Sequence, residues 1–396
     1  MIRRMPTSSP FKNKVAIVGV GESDIGKVPG ASGLGLNAQA SKRALDDAGL
    51  EVSDIDGLLT AYSFTESYTM LGSSLCEYMG LQPSLCASMV AGGASPGIML
   101  RHAAQAIAMG LAKTVLVCAG ENRATGLGRD AAVAVLAQVG HPQFEQPYGG
   151  SIPGFYAMVA RRHMHEFGTT REHLASVAVN TRAHALLHPN AHMKSPLTVE
   201  QVLASKPIAD PLAMLDCCLI SDAAGAFIVT SAERARDLRM KPVYLLGVGE
   251  KHTHEHIMCA PSLTQFGAAE AGRIAYEMAG IRPVDVDLAE LYDCFTIVPI
   301  IELEELGFVE PGAGGAFFEQ GHARLGGKLP VNTHGGMLSH AHAGAAGGLF
   351  GIVEAVRQLR GGEGVRQVKG AELALVHNEG GILSSHCTVI LSNQRA

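Results

Sequence analysis

A chain of 396 residues, 47 % hydrophobic and 17 % charged, with 47 glycines and no tryptophan, is long enough for one large core or two fused ones and too apolar to be disordered. Its formal charge of −6 is spread along the chain without a basic stripe, which excludes a nucleic-acid partner and leaves small molecules as the expected ligands. The eight cysteines form no CxxC pair, several lie in apolar runs, and they read as reduced thiols of a cytoplasmic protein.

The N-terminal MIRRMPTSSPFKN is basic but lacks the apolar stretch of a signal peptide and reads as a frayed end. No later segment reaches membrane-spanning length, so no membrane association is expected. KVAIVGVGE (14–22) predicts a buried strand, and NAQASKRALDDAGL (37–50) an amphipathic helix after it. GGASPGIMLRHAAQAIAMGLAKTVLVCAGE (92–121) predicts a glycine turn, a helix and a strand. Residues 144–212 hold helical patterns and few strand signals, which marks an inserted helical cap within about 122–215; Thr170 with Glu172 and His173 is a helix start. CCLISDAAGAFIVTS (217–231) returns to a strand.

The pattern then repeats. KPVYLLGVGE (241–250) matches the first strand and AGRIAYEMAGI (271–281) the first helix, while AGIRPVDVDLAELYD (279–293) parallels AGLEVSDIDGLLTAY (48–62), with Asp285 and Asp287 answering Asp54 and Asp56. GAAGGLFGIVEAVRQLRGG (344–362) and AELALVHNEGG (371–381) complete the second copy. Duplicated strand–helix units predict an α/β protein of two related halves, 1–240 with the cap and 241–396, built on parallel-rich sheets covered by helices. In HTHEHIMC (252–259), a strand would put His252, His254 and His256 on one face, but no partner cluster accompanies them and no metal site is expected.

ELYDCFT (290–296), VNTHGGMLSHAHAGAAGG (331–348), LALVHNEGG (373–381) and the cap with RRHMHEFG and CCLISDAAGA together resemble the thiolase superfamily, in the branch of the sterol carrier protein X thiolase domain. The resemblance runs from Lys14 to Ser392. It implies a thiolase-like fold layered α/β/α/β/α and an enzyme acting on acyl-CoA thioesters, with coenzyme A as part of the substrate and no covalently bound cofactor. The family's nucleophilic cysteine opens the helix after the third strand, a fixed step before the closing glycine; 17 residues back from Gly110 stands Gly93. Cys86 lies seven residues too early, in mid-strand, and reads as a buried structural thiol. Acyl transfer through a thioester at position 93 is thereby excluded, while the helix N-terminus keeps its backbone N–H groups for an oxyanion.

By the same resemblance His342 is the GHP-type histidine, with His340 as the alternative, placed to bond a thioester carbonyl or shuttle a proton. Cys294 matches the cysteine of the HDCF motif, a thiol that His342 would tune. Tyr292 replaces that motif's histidine, where retro-aldolase members carry a tyrosine. Gly380 and Gly381, preceded by His377, Asn378 and Glu379, bring a backbone N–H toward the carbonyl oxygen; Asn332 and Asn378 are further candidates. The implied reaction makes or breaks the carbon–carbon bond beside the thioester, retro-aldol in character. Two alternatives stay open: true acyl transfer by Cys294 or Cys86, and a non-catalytic acyl-CoA- or lipid-binding scaffold. A homodimer joined along Leu85 to Met89 and a small zinc-ribbon and OB-fold partner protein complete the expectations.

Overall fold

A computed structural model describes residues 12–66, 68–128, 131 and 138–395, so the expected frayed end lies almost wholly outside the described residues. The first half runs β1 (Val15–Glu22), α1 (Gly33–Ala48), β2 (Gly57–Ala61), α2 (Leu71–Met79), β3 (Leu85–Met89), α3 (Ser95–Ala108) and β4 (Thr114–Asn122). The cap follows with α4 (Ile152–Phe167), α5 (Arg171–Leu187), α6 (Val199–Leu203) and the short strands β5 (Pro207–Ala209) and β6 (Leu212–Ala213), before β7 (Asp222–Ser231) closes the half. The second half runs β8 (Val243–His252), α7 (Ala268–Ala279), β9 (Leu288–Glu290), α8 (Val298–Glu305), α9 (Gly314–Glu319), α10 (Ala346–Arg360), β10 (Leu373–Gly380) and β11 (Ser385–Ser392).

The strands lie in the order β3-β2-β4-β7-β1-β8-β11-β10-β9. Within this nine-stranded sheet, every strand of a half but its last points the same way: β2 pairs parallel with β3 and β4, and β9 with β10, while β7 and β11 run antiparallel to both neighbours. Strands β5 and β6 form a separate antiparallel pair in the cap. The halves join at β1 and β8 through the pairs Ala16–Tyr244 and Ile17–Val243. Helix α1 covers β1, β4 and β7, α7 covers β8 and β11, and α3 and α10 lie side by side touching strands of both halves. This is the α/β/α/β/α layering expected. Ile17, Val117, Phe227, Leu349, Val376 and Val389 share one core cluster between the halves, all fully buried.

The duplication extends to single contacts. A Cβ on Gly19 or Gly21 would strike the Ala44 or Ala40 carbonyl oxygen of α1, and one on Gly247 or Gly249 would strike the Ala275 or Ala271 carbonyl of α7. The repeated GVG thus lets helix backbone rest directly on strand backbone. Asp56 accepts the Lys113 and Thr114 N–H groups where β4 begins, and Asp287 accepts those of Glu372 and Leu373 where β10 begins, all at 2.8–2.9 Å. Asp54 and Asp285 each accept the N–H three residues back, of Glu51 and Arg282. In the cap, the Thr170 hydroxyl accepts the His173 N–H and Glu172 lies in the first turn, as the sequence predicts. Helix α5 leans on α9 and on a π-helical turn, Gly336–His340.

Two expectations are corrected. Cys86 is exposed, because β3 is the outermost strand and pairs with β2 on one side; its Sγ lies 3.8 Å from that of buried Cys76. The three histidines of HTHEHIMC do not share a strand face, because β8 ends at His252. Their rings go separate ways, His252 to Glu250 and Ser385, His254 to Thr253 and the Ile382 carbonyl, His256 to the Val139 carbonyl. Among the described residues, no helix is long and apolar enough to cross a membrane.

Because both partners in the GVG contacts are backbone, neither can swing aside. Gly21→Ala and Gly249→Ala are each expected to cost about 3 kcal/mol of unfolding free energy. Chemical denaturation reads this directly, and a midpoint equal to the parent's would contradict the packing.

Candidate active site

The turn from β3 into α3 meets the end of β10 backbone to backbone. Gly92 has φ +56°, and a Cβ on it would stand 2.8 Å from Gly380 Cα and from Gly381 N. A Cβ on Gly380 would overlap the Ala91 carbonyl oxygen, and Gly381 has φ +74°. These glycines let one turn from each half touch. Gly93 has a different task. A Cβ there would fall on the Tyr292 phenol, against Oη, Cζ and Cε2. The Tyr292 ring occupies the space that a side chain at position 93 would need.

Tyr292 is aimed by its own backbone. The Leu291 N–H donates to Asn332 Oδ1 at 2.7 Å and the Tyr292 N–H to Glu302 Oε2 at 2.9 Å. Asn332 holds this position at φ +56°, which asparagine tolerates better than most residues. The sequence candidate Asn332 therefore acts one residue away from the phenol. Tyr292 is 6 % exposed, and burial, followed by Cys294 and Glu379, pushes its hydroxyl well above the usual tyrosine value.

His342 and Cys294 are not partners, which corrects the expected tuning. The segment Cys218–Ser221 runs between them: the Cys218 N–H donates to the Cys294 carbonyl, the Leu219 N–H to the Met337 carbonyl and the Ser221 N–H to the His342 carbonyl. Cys218 Sγ consequently lies 3.1 Å from His342 Nδ1, and Cys294 Sγ lies 3.8 Å from Glu379 Oε2. Burial raises the Cys218 thiol to about 12 and holds the Cys294 thiol well above its usual value, with Glu379 adding to the latter. His342 is lowered to about 3 by burial and then by the Arg123 charge, so its imidazole is neutral. It reaches the Gly93 turn through the start of α10: a Cβ on Gly347 would stand 2.8 Å from His342 Cδ2, and one on Gly348 would overlap the Gly93 carbonyl oxygen. Asn378 ties β10 to the same place by donating to the Gly348 carbonyl at 2.9 Å.

The alternative histidine, His340, belongs elsewhere. It is fully buried, with Nε2 3.1 Å from Glu22 Oε1 and its ring edge-on to His188. His334 bonds Glu290 at 2.8 Å in the same region. Among the described residues, Glu22, His188 and His340 have donor atoms within 4.8 Å of one another. Glu22 already holds the Arg357 guanidinium at 2.9 Å and His188 Nδ1 accepts the Asn190 N–H, a set suited to a hydrogen-bond network rather than to a divalent ion.

Three residues escaped sequence reasoning: Glu379 as a functional group, Tyr156 and Cys218. Glu379 is 0 % exposed and accepts from the Leu383 N–H at 2.6 Å and the Tyr156 hydroxyl at 3.0 Å. Burial raises its carboxyl to about 8. A charged residue ending the apolar strand LALVHNEGG was the available signal for it; nothing local marks Tyr156 or Cys218. The neighbouring His377 bonds Thr388 and His386 and is kept neutral by burial. A small pocket of about 10 Å³, room for about one water, is bordered by Tyr292, Met337, Gly347, Gly348, His377 and Asn378. The site thus gathers a phenol, a neutral imidazole, protonated thiols and a carboxyl that titrates near neutrality, groups that move protons rather than attack carbon.

Glu379 binds its proton more tightly in the folded chain, at about 8, than at its ordinary 4.5. Its cost to folding is absent below the lower value, grows as pH rises between the two, and is complete above the higher. Glu379→Gln is expected to exceed the parent in stability at pH 8.5 by on the order of a few kcal/mol more than at pH 5. Urea denaturation at the two pH values checks this; an equal difference at both would contradict it.

The family described as thiolase C-terminal domain-like matches residues 249–393. The chain is 37 % identical over 372 residues to an acetyl-CoA acetyltransferase of Methanothermobacter thermautotrophicus, covering 93 % of this chain and 96 % of that one. It is 36 % identical over 390 residues to the 17-hydroxy-3-oxo-4-pregnene-20-carboxyl-CoA lyase of Mycobacterium tuberculosis, covering 95 % and 98 %. Among solved structures, the Ltp2-ChsH2(DUF35) aldolase superposes with a TM-score of 0.87 at 34 % identity, over 98 % of this chain and 100 % of that one. With these likenesses, the layered fold and the paired glycine turns, and 31 % identity over 398 residues to sterol carrier protein 2 of Bos taurus (94 % of this chain, 71 % of that one), the chain belongs to the thiolase superfamily, in its sterol-carrier-protein-2-like branch.

Proposed function

We propose that the protein cleaves, or in reverse forms, the carbon–carbon bond beside a CoA thioester by a retro-aldol route, without an acyl-cysteine. One observation carries this reading: the Tyr292 phenol fills the space of a side chain at position 93, so a proton-handling hydroxyl stands where an acyl carrier would. In cleavage of a β-hydroxyacyl-CoA, Tyr292 takes the hydroxyl proton while passing its own on to the buried groups beside it, Cys294 and Glu379, as the β-carbon becomes a carbonyl. The bond's electron pair enters the thioester enolate. Negative charge then grows on the thioester oxygen, and the donors for it are His342 and the N-termini of α3 and α10, which open on the same turn. In the tautomer whose Nδ1 accepts from the Cys218 thiol, the proton of the neutral imidazole sits on Nε2 and can be offered to that oxygen.

The related lyase acts, by its name, on a hydroxylated carboxyl-CoA, which supports a β-hydroxyacyl-CoA substrate here. Acyl transfer has less support: Cys294 is held protonated beside a carboxyl, and Cys86 lies on an exposed edge strand. The solved aldolase is a complex with a DUF35 protein, which supports a small zinc-ribbon and OB-fold partner for this chain. A homodimer along β3 is supported by its open outer edge and by exposed Tyr78 and Val90 beside it. Eight free thiols suit a reducing cytoplasm.

Tyr292→Phe and His342→Ala are each expected to lower kcat and kcat/KM together by on the order of a hundredfold on a β-hydroxyacyl-CoA, measured with and without a zinc-ribbon partner. Gly93→Ala, which displaces the phenol, is expected to match Tyr292→Phe. Parent-level cleavage by both Tyr292→Phe and His342→Ala would contradict the assignment.

A further inference from the structure

Retro-aldol cleavage takes one proton from oxygen and gives one to carbon: the hydroxyl proton departs, the carbon–carbon bond breaks into the enolate, and the enolate α-carbon is then protonated. A proton must be held between the two events. Resting on the retro-aldol reading, we infer that Glu379 is the proton reservoir of this site, a positioning residue that exchanges its proton through Cys294 and Tyr156.

The geometry provides two complete hydrogen-bonded states. The Tyr156 hydroxyl has one proton and two acceptor groups in reach, the Glu379 carboxyl, with Oε2 at 3.0 Å and Oε1 at 3.2 Å, and the Gly381 carbonyl at 3.1 Å. With Glu379 ionised, Tyr156 donates to the carboxylate. With Glu379 protonated, the carboxyl donates to the Tyr156 oxygen and Tyr156 donates to Gly381. The Leu383 N–H stays on Oε1 in both, at 2.6 Å, so neither state strands a buried polar group. Stacking on Phe295 at 4.4 Å keeps the Tyr156 ring in place during the exchange. Cys294, 3.8 Å from Oε2, lies in the same loop as Tyr292. In the first event the proton that Tyr292 gives up passes by way of Cys294 to ionised Glu379. In the second the Cys294 thiol protonates the enolate α-carbon and is reprotonated from Glu379.

Among the described residues, no cation pins the carboxyl in one form. The titratable groups facing it are Tyr156 from α4, Cys294 and Tyr292 from the loop after β9, Glu302 from α8 and Tyr62 beyond β2. The histidine opposite it on β11, His386, is kept neutral by burial. Two other buried acids are fixed as anions by arginine, Glu22 by Arg357 and Glu354 by Arg366, while Glu290 is engaged by His334 and Asp293 by the Met337 and Leu338 N–H groups. Glu302 also lacks such a partner, but its contact with the site is the Tyr292 backbone N–H, which does not exchange in turnover. Burial sets Glu379 to titrate at about 8, where it can both take and return a proton near neutrality.

The test compares the parent with Glu379→Gln, which keeps the acceptor for Leu383 and the side-chain volume. The kcat–pH profile on a β-hydroxyacyl-CoA is recorded from pH 6 to 10, with an infrared titration of the carboxyl C=O band on the same proteins. The reservoir predicts an ionisation near pH 8 in the parent profile, an infrared band titrating with it, and loss of both in the variant. It also predicts a fall in kcat on the order of a hundredfold with KM within about threefold, partly rescued by Glu379→Asp. Cleavage that keeps the same ionisation in Glu379→Gln, or a parent lacking the band, overturns the reservoir alone. A parent with the band that cleaves no β-hydroxyacyl-CoA overturns the retro-aldol reading and the role with it.

Discussion

Everything about the site depends on a contact between two stretches of bare backbone. Gly92 and Gly380 approach so closely that a side chain on either would drive the halves apart, and Gly93 leaves a gap that the Tyr292 phenol fills. The contact brings the N-termini of α3 and α10 to one point and sets the ends of β3 and β10 side by side. Each half then contributes what the other lacks. The first supplies the glycine turn and Cys218, the second Tyr292, Cys294, His342 and Glu379, and the cap adds Tyr156.

Two buried polar regions lie close together and follow opposite electrostatic rules. Around His340 two acids are paired with arginines, Glu22 with Arg357 and Glu354 with Arg366, and a third, Glu290, with His334; the arginine pairs hold structure in a fixed charge state. Around Tyr292 no cation among the described residues pairs with the phenol, the Cys294 thiol or the Glu379 carboxyl, so burial keeps the first two protonated at neutral pH and leaves the carboxyl titrating at about 8. A region of the first kind resists titration. A region of the second kind trades some folding stability for groups that can give and take protons during a reaction.

What the sequence made legible was local. The GVG strands, the Asp56 and Asp287 pair and the Thr170 cap each work within a short stretch, and the structure reproduces them down to single hydrogen bonds. The glycine at position 93 stood out in the sequence, but not its use, because the ring that fills the gap comes from the other half. Cys218 and Cys294 could not be told apart as partners of His342, since a loop threading between two others has no periodicity to read. The exposure of Cys86 depends on β3 being outermost, a property of strand order rather than of the residues in it. His334, His340 and His342 sit in one glycine-rich run, yet the π-helical turn ending at His340 sends them to different networks.

The central claim is that carbon–carbon cleavage here proceeds with no acyl group on the protein. It is tested most directly by a single turnover of a mass-tagged β-hydroxyacyl-CoA, with the products and the intact protein weighed together. The account predicts one carbonyl compound and one shortened acyl-CoA per substrate, with the protein mass unchanged at every time point. A transient acyl adduct on any cysteine, matched by CoA-dependent thiolysis of the corresponding β-ketoacyl-CoA, would contradict it.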